Sequence, residues 1–184
     1  MSNQLDELLK NYKPWNEEED ALVKQLKQFL AMTENAYDRS NAVGHVVANA
    51  WIVNAARSKV VLVEYVNENI WLAPGGHCDG SPDVRAAALR EAEEETGLLT
   101  LKPLLNGNVF DVTAGWIPTR KKVDGLETAH VHVCFAFEAD ERESLVVSEE
   151  SSNIAWVELK NIDKINYFER QKHLVLKILA GVLA

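Results

Sequence analysis

Residues 76–98 read GHCDGSPDVRAAALREAEEETGL and place a glycine-containing loop directly before a segment rich in alanine and charge. Ser81 is a favourable N-cap residue, Pro82 suits the first helical position, and Asp83 interacts favourably with the helix dipole. Gly97 is a typical residue at the end of a helix. The sequence therefore predicts a helix that begins at residues 81–83 and ends at Gly97.

Three glutamates share one face of this predicted helix. Glu91, Glu94 and Glu95 lie at i, i+3 and i+4, which at about 100° per residue confines them to an arc of about 100°, whereas Glu93 points away. Like charges at this spacing destabilise a helix unless something neutralises them. Arg90 can pair with Glu94, and a divalent cation with oxygen ligands is an effective counter-charge. The alternative is a solvated acidic surface that holds no metal.

The same stretch resembles the Nudix box, Gly-x5-Glu-x7-Arg-Glu-U-x-Glu-Glu-x-Gly-U, in which U is a bulky apolar residue. Two positions depart from the motif: Pro82 stands at the first glutamate, with Asp79 and Asp83 as the nearest acids, and Ala92 is smaller than the usual apolar residue. The positions that match are Gly76, Arg90, Glu91, Glu94, Glu95, Gly97 and Leu98.

The resemblance implies a Nudix (MutT-like) hydrolase, in which water attacks a phosphorus atom of a diphosphate linked to another moiety. It implies Mg²⁺ or Mn²⁺ as cofactor, with Glu91, Glu94 and Glu95 as metal ligands, the Gly76 carbonyl as a further ligand, and Arg90 in the catalytic motif. A nucleoside triphosphate and a nucleotide-sugar diphosphate both remain open as substrates.

The general base is not fixed by the motif, because Nudix proteins recruit it either from the box helix or from a later loop. Glu91 is the candidate on the helix. Glu149 and Glu150 are the candidates in a polar loop that precedes the apolar run at residues 154–157. For each loop acid the alternative is an exposed side chain with no catalytic role.

Several side chains outside the glutamates are candidates for ligand contact. His77, in the box loop, can contact a phosphate or the leaving group, or simply bond to the backbone. Phe110 and Trp116 fall where Nudix proteins often build a base-stacking wall, although aromatic residues on strands are more often core. His130 and His132 share one strand face at the spacing of a metal pair. Because the sequence shows no third soft ligand nearby, we expect them at the substrate edge or the surface.

The order of elements predicts an α/β protein in two parts. Residues 1–40 are expected to form a helical extension, with a segment capped by Asn16, that covers the substrate cleft or contacts a second copy in a homodimer. Residues 41–184 are expected to form the Nudix fold, a mixed β-sheet sandwiched between helices, with the apolar stripe of Ala88, Leu89 and Ala92 packed on the sheet. Strands are expected at residues 46–53, 59–66, 108–112, 130–137 and 154–157, and an amphipathic helix at residues 163–183.

Composition limits the partners. The chain has 184 residues, is 47% hydrophobic and carries a net charge of −9, which argues against duplex nucleic acid. The basic residues 120–122 are interpreted as a hairpin tip, with a substrate phosphate contact as the alternative. Cys78 and Cys134 predict free thiols in a reducing compartment. The N-terminal residues do not resemble a signal peptide and no stretch is long enough to span a bilayer, so we expect a cytoplasmic protein without a membrane partner.

Two other functions fit the same fold. One is a non-catalytic nucleotide sensor, and the other is an isoprenoid-diphosphate isomerase. Such sensors usually lose box carboxylates, whereas this chain retains Glu91, Glu94 and Glu95. The isomerase requires a catalytic cysteine in a context that neither Cys78 nor Cys134 matches. The sequence therefore favours a hydrolase.

Overall fold

The computed structural model describes residues 4–41, 43–65, 70–115, 129–166 and 171–183 of the chain. These residues contain four α-helices: α1 (Gln4–Asn11), α2 (Glu17–Met32), α3 (Val84–Thr96) and α4 (Lys172–Leu179). The strands are β1 (Gly44–Asn54), β2 (Lys59–Tyr65), β3 (Trp71–Leu72), β4 (Gly75–His77), β5 (Lys102–Pro103), β6 (Val109–Gly115), β7 (Ala129–Ala139) and β8 (Ser151–Glu158). Short 3₁₀ segments lie at Leu105–Gly107 and Leu159–Lys164.

The strands form a mixed sheet around the parallel pair β1 and β7. Five strands follow the order β3-β2-β1-β7-β5, while β4 pairs with β1, β6 with β7, and β8 with β2. The β1–β7 pairing runs without interruption from Gly44 opposite Ala129 to Asn54 opposite Ala139, and the remaining pairs are antiparallel. Both long strands are buried along most of their length, as expected for parallel strands covered on both faces.

Alternating side chains of β1 divide the core into two layers. Val46, Ala48 and Ile52 belong to a cluster that also contains residues of α1, α2 and α3. Trp51 and Val53 point to the opposite cluster, which contains residues of α4. The predicted α/β fold, a mixed sheet between helices with preceding N-terminal helices, is therefore confirmed.

The N-terminal helices pack into the core of their own chain. Leu5, Leu9, Val23 and Leu26 are each no more than 4% exposed and share the cluster that contains the box helix. Asn16 caps α2 as predicted, because its side chain accepts a hydrogen bond from the Glu19 N–H at 2.8 Å. The apolar residues of the two N-terminal helices thus pack against the sheet and α3 of the same chain. The domain boundary at residue 40 stays a prediction.

A buried group of charges also connects the N-terminal helices to the rest of the fold. Lys177 of α4 lies 2.6 Å from Glu19 of α2 and 2.5 Å from Asp111 of β6. The Lys177 ammonium also donates to the carbonyl of Phe110 at 3.2 Å. This arrangement ties α2, β6 and α4 together at one point in the interior.

Several predicted boundaries were wrong: β1, β6 and β7 extend beyond the predicted strands, and three further boundaries also differ. The box helix begins at Val84 and not at residues 81–83, because the Asp83 side chain accepts from the Ala86 N–H at 3.0 Å and so supplies the N-cap. β8 begins at Ser151, before the apolar run, because backbone pairing with β2 does not depend on apolar side chains. The expected helix at residues 163–183 is a 3₁₀ segment that ends at Lys164 and the short α4, with residues 167–170 outside the described part of the chain.

No helix within the described ranges combines the length and apolar character that a bilayer span requires. The two cysteines are free and buried, as predicted for thiols without a disulfide partner.

Candidate active site

The box helix presents its carboxylates to the backbone of β4. Asp83 caps its first turn, and Gly97 ends it in the left-handed conformation, with φ 74° and its N–H bonded to the Glu93 carbonyl. Ala88 and Ala92 are fully buried against the sheet, which fixes the rotation of the helix. The predicted end at Gly97 and the predicted apolar stripe therefore agree with the structure.

Glu95 is the most enclosed of the three box glutamates, with an exposed fraction of only 4%. Its carboxylate accepts hydrogen bonds from the Gly75 N–H at 3.0 Å and from the Tyr65 hydroxyl at 3.1 Å. Burial raises the pKa of Glu95 to about 7, helped by the charges of Glu91 and Glu150 and opposed by the two hydrogen bonds. The side chain is therefore held in one position against the loop.

Glu91 lies against the second glycine of the loop. A Cβ atom on Gly76 would come within 2.5–2.6 Å of the Glu91 carboxyl group, so a side chain at this position would displace that carboxylate from the loop. The Glu91 side chain is 14% exposed, and burial raises its pKa although Arg90 opposes the shift. Glu91 and Glu95 thus converge on Gly75 and Gly76 from the same side.

Arg90 connects three groups of the site. Its guanidinium lies 2.8 Å from Glu91 and 2.9 Å from Glu94, and it donates to the His77 carbonyl at 2.9 Å. The pairing with Glu94 was predicted from the helical spacing, and the contact with the His77 carbonyl was not. Arg90 fixes the helix relative to β4 and orients two carboxylates, which makes it a positioning residue.

Glu94 differs from its two neighbours because its side chain is 59% exposed. The exposed fraction of the three glutamates therefore rises from the buried Glu95 through the largely buried Glu91 to the exposed Glu94. Carboxylate oxygens with a nearby backbone carbonyl are the ligands that Mg²⁺ and Mn²⁺ prefer, so the donor set fits a hard divalent cation.

The loop that carries the candidate bases is attached to the end of the box helix. The Val146 N–H donates to the Thr96 carbonyl at 2.8 Å, and the Val146 side chain lies beside Gly97. The charge of Glu150 contributes to the raised pKa values of Glu95 and Tyr65, which places this carboxylate within electrostatic range of the site. Glu149 and Glu150 are both exposed in the same turn. Both loop acids stay candidate bases, and of the two only Glu150 has an electrostatic effect on Glu95 and Tyr65.

The predicted substrate contacts have different outcomes. Phe110 is 2% exposed and packs in the α4-side core, so we no longer propose it as a substrate contact. Trp116 and the basic residues 120–122 lie outside the described residues. His77 is half-buried, and the centroid of its ring lies 5.1 Å from that of His45 and 5.7 Å from that of His130. His130 is only 6% exposed, so the expected surface position was wrong for this histidine. His132 is partly exposed, and a position at the substrate edge stays a prediction for both.

Two features of the site were missed in the sequence. Tyr65 has no motif around it and reaches Glu95 only because β2 ends beside the box loop. His45 meets His130 only through the parallel register of β1 and β7, in which the two residues lie directly opposite one another. The histidine group could have been found from the sequence only by predicting that register correctly.

Comparisons with known proteins agree with this geometry. A family model described as the NUDIX domain matches residues 43–177. The chain is similar to the uncharacterized Nudix hydrolase YvcI of Bacillus subtilis (strain 168), with 28% identity over 124 residues, which are 67% of this chain and 73% of that protein.

Solved structures share the fold at low sequence identity. A C. elegans Ap4A hydrolase in a binary complex has a TM-score of 0.59 and 20% identity, covering 74% of this chain and 96% of its own. The E. coli dihydroneopterin triphosphate pyrophosphohydrolase has a TM-score of 0.60 and 14% identity, covering 74% of this chain and 95% of its own. At these identities the likeness concerns the fold alone.

Proposed function

The chain belongs to the Nudix hydrolase family, and from this premise we propose that it cleaves a phosphoanhydride bond in a nucleotide-type diphosphate with Mg²⁺ or Mn²⁺ bound at the box helix. The observation that carries the proposal is the convergence of Glu91 and Glu95 on the backbone of Gly75 and Gly76. On a solvated acidic helix the carboxylates would point to solvent, whereas here the Glu91 carboxylate occupies the space that a side chain at Gly76 would fill.

Four groups would hold the cation: the carboxylates of Glu91, Glu94 and Glu95 and the carbonyl of Gly76. A divalent ion in such a site neutralises diphosphate charge and lowers the pKa of a coordinated water. The ion also supplies the counter-charge that three neighbouring glutamates on one helical face need. Arg90 neutralises only part of this charge, since it pairs with Glu91 and Glu94.

Other groups of the chain would orient the metal ligands and accept a proton from the attacking water. Arg90 orients Glu91 and Glu94, and the Gly75 N–H with the Tyr65 hydroxyl orients Glu95. Glu150 is the favoured acceptor for a proton from the attacking water, because it is a loop carboxylate within electrostatic range of the box glutamates. Glu91 is the alternative acceptor on the helix.

The proposed substrates share one chemical group, although the individual compound is open. A nucleoside triphosphate and a nucleotide-sugar diphosphate are the candidates, and both place a charged phosphoanhydride at the metal. The names of the two similar structures, an Ap4A hydrolase and a dihydroneopterin triphosphate pyrophosphohydrolase, describe compounds of this kind. His77 stays the proposed side-chain contact to phosphate, and Trp116 stays a proposal for stacking against a base.

Two rival functions have less support. A nucleotide sensor is the alternative if turnover is absent, but the retained and ordered box carboxylates favour catalysis. An isoprenoid-diphosphate isomerase needs a reactive cysteine. Cys78 is 3% exposed and burial raises the pKa of its thiol to about 12, which disfavours the thiolate.

The experiment that tests the proposal is metal-dependent phosphate or diphosphate release from a panel of nucleoside triphosphates, nucleotide sugars, dinucleoside polyphosphates and ADP-ribose. Glu94→Gln removes a charge with little change in volume, so we expect turnover to fall by at least about 100-fold while the fold is retained. Glu93→Gln is the matched control, because it changes the same charge one residue away on another face of the helix.

Substrate hydrolysis with Mg²⁺ or Mn²⁺ that is lost in Glu94→Gln and kept in Glu93→Gln would support the assignment. Equal turnover in wild type and Glu94→Gln would refute the metal role of Glu94. Tight metal-dependent nucleotide binding without turnover would favour the sensor.

A further inference from the structure

We propose that His45, His77 and His130 form a second metal site, selective for a borderline ion of the Zn²⁺ type and separate from the carboxylates of the box helix. Each histidine comes from a different strand, and together they bring three ring nitrogens close to one another. The box carboxylates take no part in this site, so its failure would leave their proposed metal role untouched. His77 as a ligand here would replace its proposed contact with phosphate.

Strand register brings the three residues together. His45 and His130 lie directly opposite each other in the parallel pair of β1 and β7. His77 lies opposite Val47 in the antiparallel pair of β4 and β1, two residues along β1 from His45. Because side chains two residues apart on a strand point to the same face, all three imidazoles lie on one face at one end of the sheet.

The distances are close to those of a coordination shell. The ring centroids of His45 and His130 are 4.5 Å apart, those of His45 and His77 are 5.1 Å apart, and those of His77 and His130 are 5.7 Å apart. One ring nitrogen from each lies within 4.8 Å of the other two. Nitrogens that are each about 2.1 Å from a tetrahedral ion are about 3.4 Å apart, so small side-chain rotations complete the site.

The histidines also lack the partners that buried imidazoles normally have. His45 is 2% exposed and His130 is 6% exposed. Neither ring nitrogen of His45, nor Nε2 of His130, has a hydrogen-bond partner within the part of the chain that the structure describes. A buried polar atom without a partner is costly, and a shared metal ion would satisfy these atoms together.

The local charges permit a cation there. His45 and His130 are both buried, and burial favours the neutral imidazole, whose free lone pair a metal requires. Arg39 adds positive charge near His45 and His77, but its guanidinium is paired with Asp79 at 2.7 Å. This ion pair limits the repulsion that Arg39 exerts on a bound ion.

Ligand chemistry distinguishes the two sites. Three imidazole nitrogens suit Zn²⁺, Co²⁺, Ni²⁺ or Cu²⁺, whereas carboxylate and carbonyl oxygens suit Mg²⁺. An ion at the histidines would fasten β4 to β1 and β7. Since Arg90 donates to the carbonyl of His77, the bound ion would also stabilise the loop that meets the box glutamates.

The test is a calorimetric titration of the chelator-treated full-length protein with Zn²⁺ in an excess of Mg²⁺, which occupies the carboxylates. We expect one equivalent of Zn²⁺ to bind and to raise the melting temperature. His45→Gln and His130→Gln should each weaken Zn²⁺ binding by more than about tenfold. His132→Gln is the matched control: it lies on the same strand as His130, but its Nδ1 lies 2.8 Å from the side-chain oxygen of Asn49.

Three results would overturn the proposal. The first is no Zn²⁺ binding by wild type under these conditions, and the second is an unchanged Zn²⁺ affinity in both histidine variants. The third is a loss of Zn²⁺ binding in Glu91→Gln while His45→Gln still binds Zn²⁺ as wild type does. Circular dichroism would show whether each variant is folded. If a variant does not fold, X-ray absorption of the wild-type Zn²⁺ complex decides, because the proposal requires three imidazole ligands and a count of fewer would contradict it.

Discussion

At the scale of single residues, Gly97 carries two constraints at once. It ends α3 with φ 74°, a conformation that disfavours residues with a side chain. A Cβ atom there would also lie 2.8 Å from the Cβ atom of Val146, whose N–H is bonded to the Thr96 carbonyl. The end of the box helix and the loop that carries Glu150 are therefore packed through this one glycine.

Gly97→Ala should destabilise the protein by about 2–3 kcal/mol, since it adds a close contact to the backbone penalty of a left-handed residue. Gly80→Ala is the control: Gly80 has φ 82°, but the nearest atom to its Cβ would be 3.8 Å away, so only the backbone penalty of about 1 kcal/mol applies. Urea unfolding measures both changes. Equal losses in the two variants would show that the contact with Val146 contributes nothing.

At the scale of elements, the start of α3 rests on one capping interaction. Asp83 accepts from the Ala86 N–H at 3.0 Å, whereas the Ser81 hydroxyl accepts from the Asp83 N–H at 3.3 Å, one turn outside the helix. Asp83→Ala should cost about 1 kcal/mol, and Ser81→Ala should cost less, because only the first removes a helix cap. Thermal unfolding of the two variants compares them directly. A larger loss for Ser81→Ala would return the N-cap to the residue that the sequence favoured.

The elements also show what the sequence could and could not predict. The box helix end, its apolar stripe, the Arg90–Glu94 pair and the Asn16 cap depend on residues within four positions of one another, and all were predicted correctly. The choice between Ser81 and Asp83 is a competition between two caps of similar strength, which spacing alone does not decide.

Contacts made through the sheet could not be predicted from short-range spacing. The approach of His45 to His130 and of Tyr65 to Glu95 depends on strand order and register across long stretches of sequence. A shift of one residue in the β1–β7 register would turn His130 to the other face of the sheet. The helical placement of the box glutamates was therefore predictable from spacing, while the histidine group and the contact of Tyr65 with Glu95 required the fold.

At the scale of the whole molecule, the segment before the matched Nudix domain is joined to it by buried charge. The domain match begins at residue 43, yet Glu19 of α2 lies against Lys177, with side-chain exposed fractions of 6% and 2%. Asp111, 1% exposed, completes the group and lies 2.9 Å from His173. Burial opposes ionisation of Asp111, but the contacts with His173 and Lys177 keep its pKa below the usual value. Lys177 therefore pairs with two carboxylates that belong to different parts of the chain.

Lys177→Met keeps the length of the side chain but leaves Glu19 and Asp111 buried without their cation, so we expect a loss of about 3–5 kcal/mol in the free energy of unfolding. Lys24→Met is the control, because the Lys24–Asp20 pair has exposed fractions of 71% and 46% and should contribute about 0–1 kcal/mol. Adding Asp111→Asn to Lys177→Met should recover part of the loss, since it removes one uncompensated charge. If Lys177→Met were as stable as Lys24→Met, the buried charges would not join the N-terminal helices to the domain, and their apolar contacts alone would have to do so.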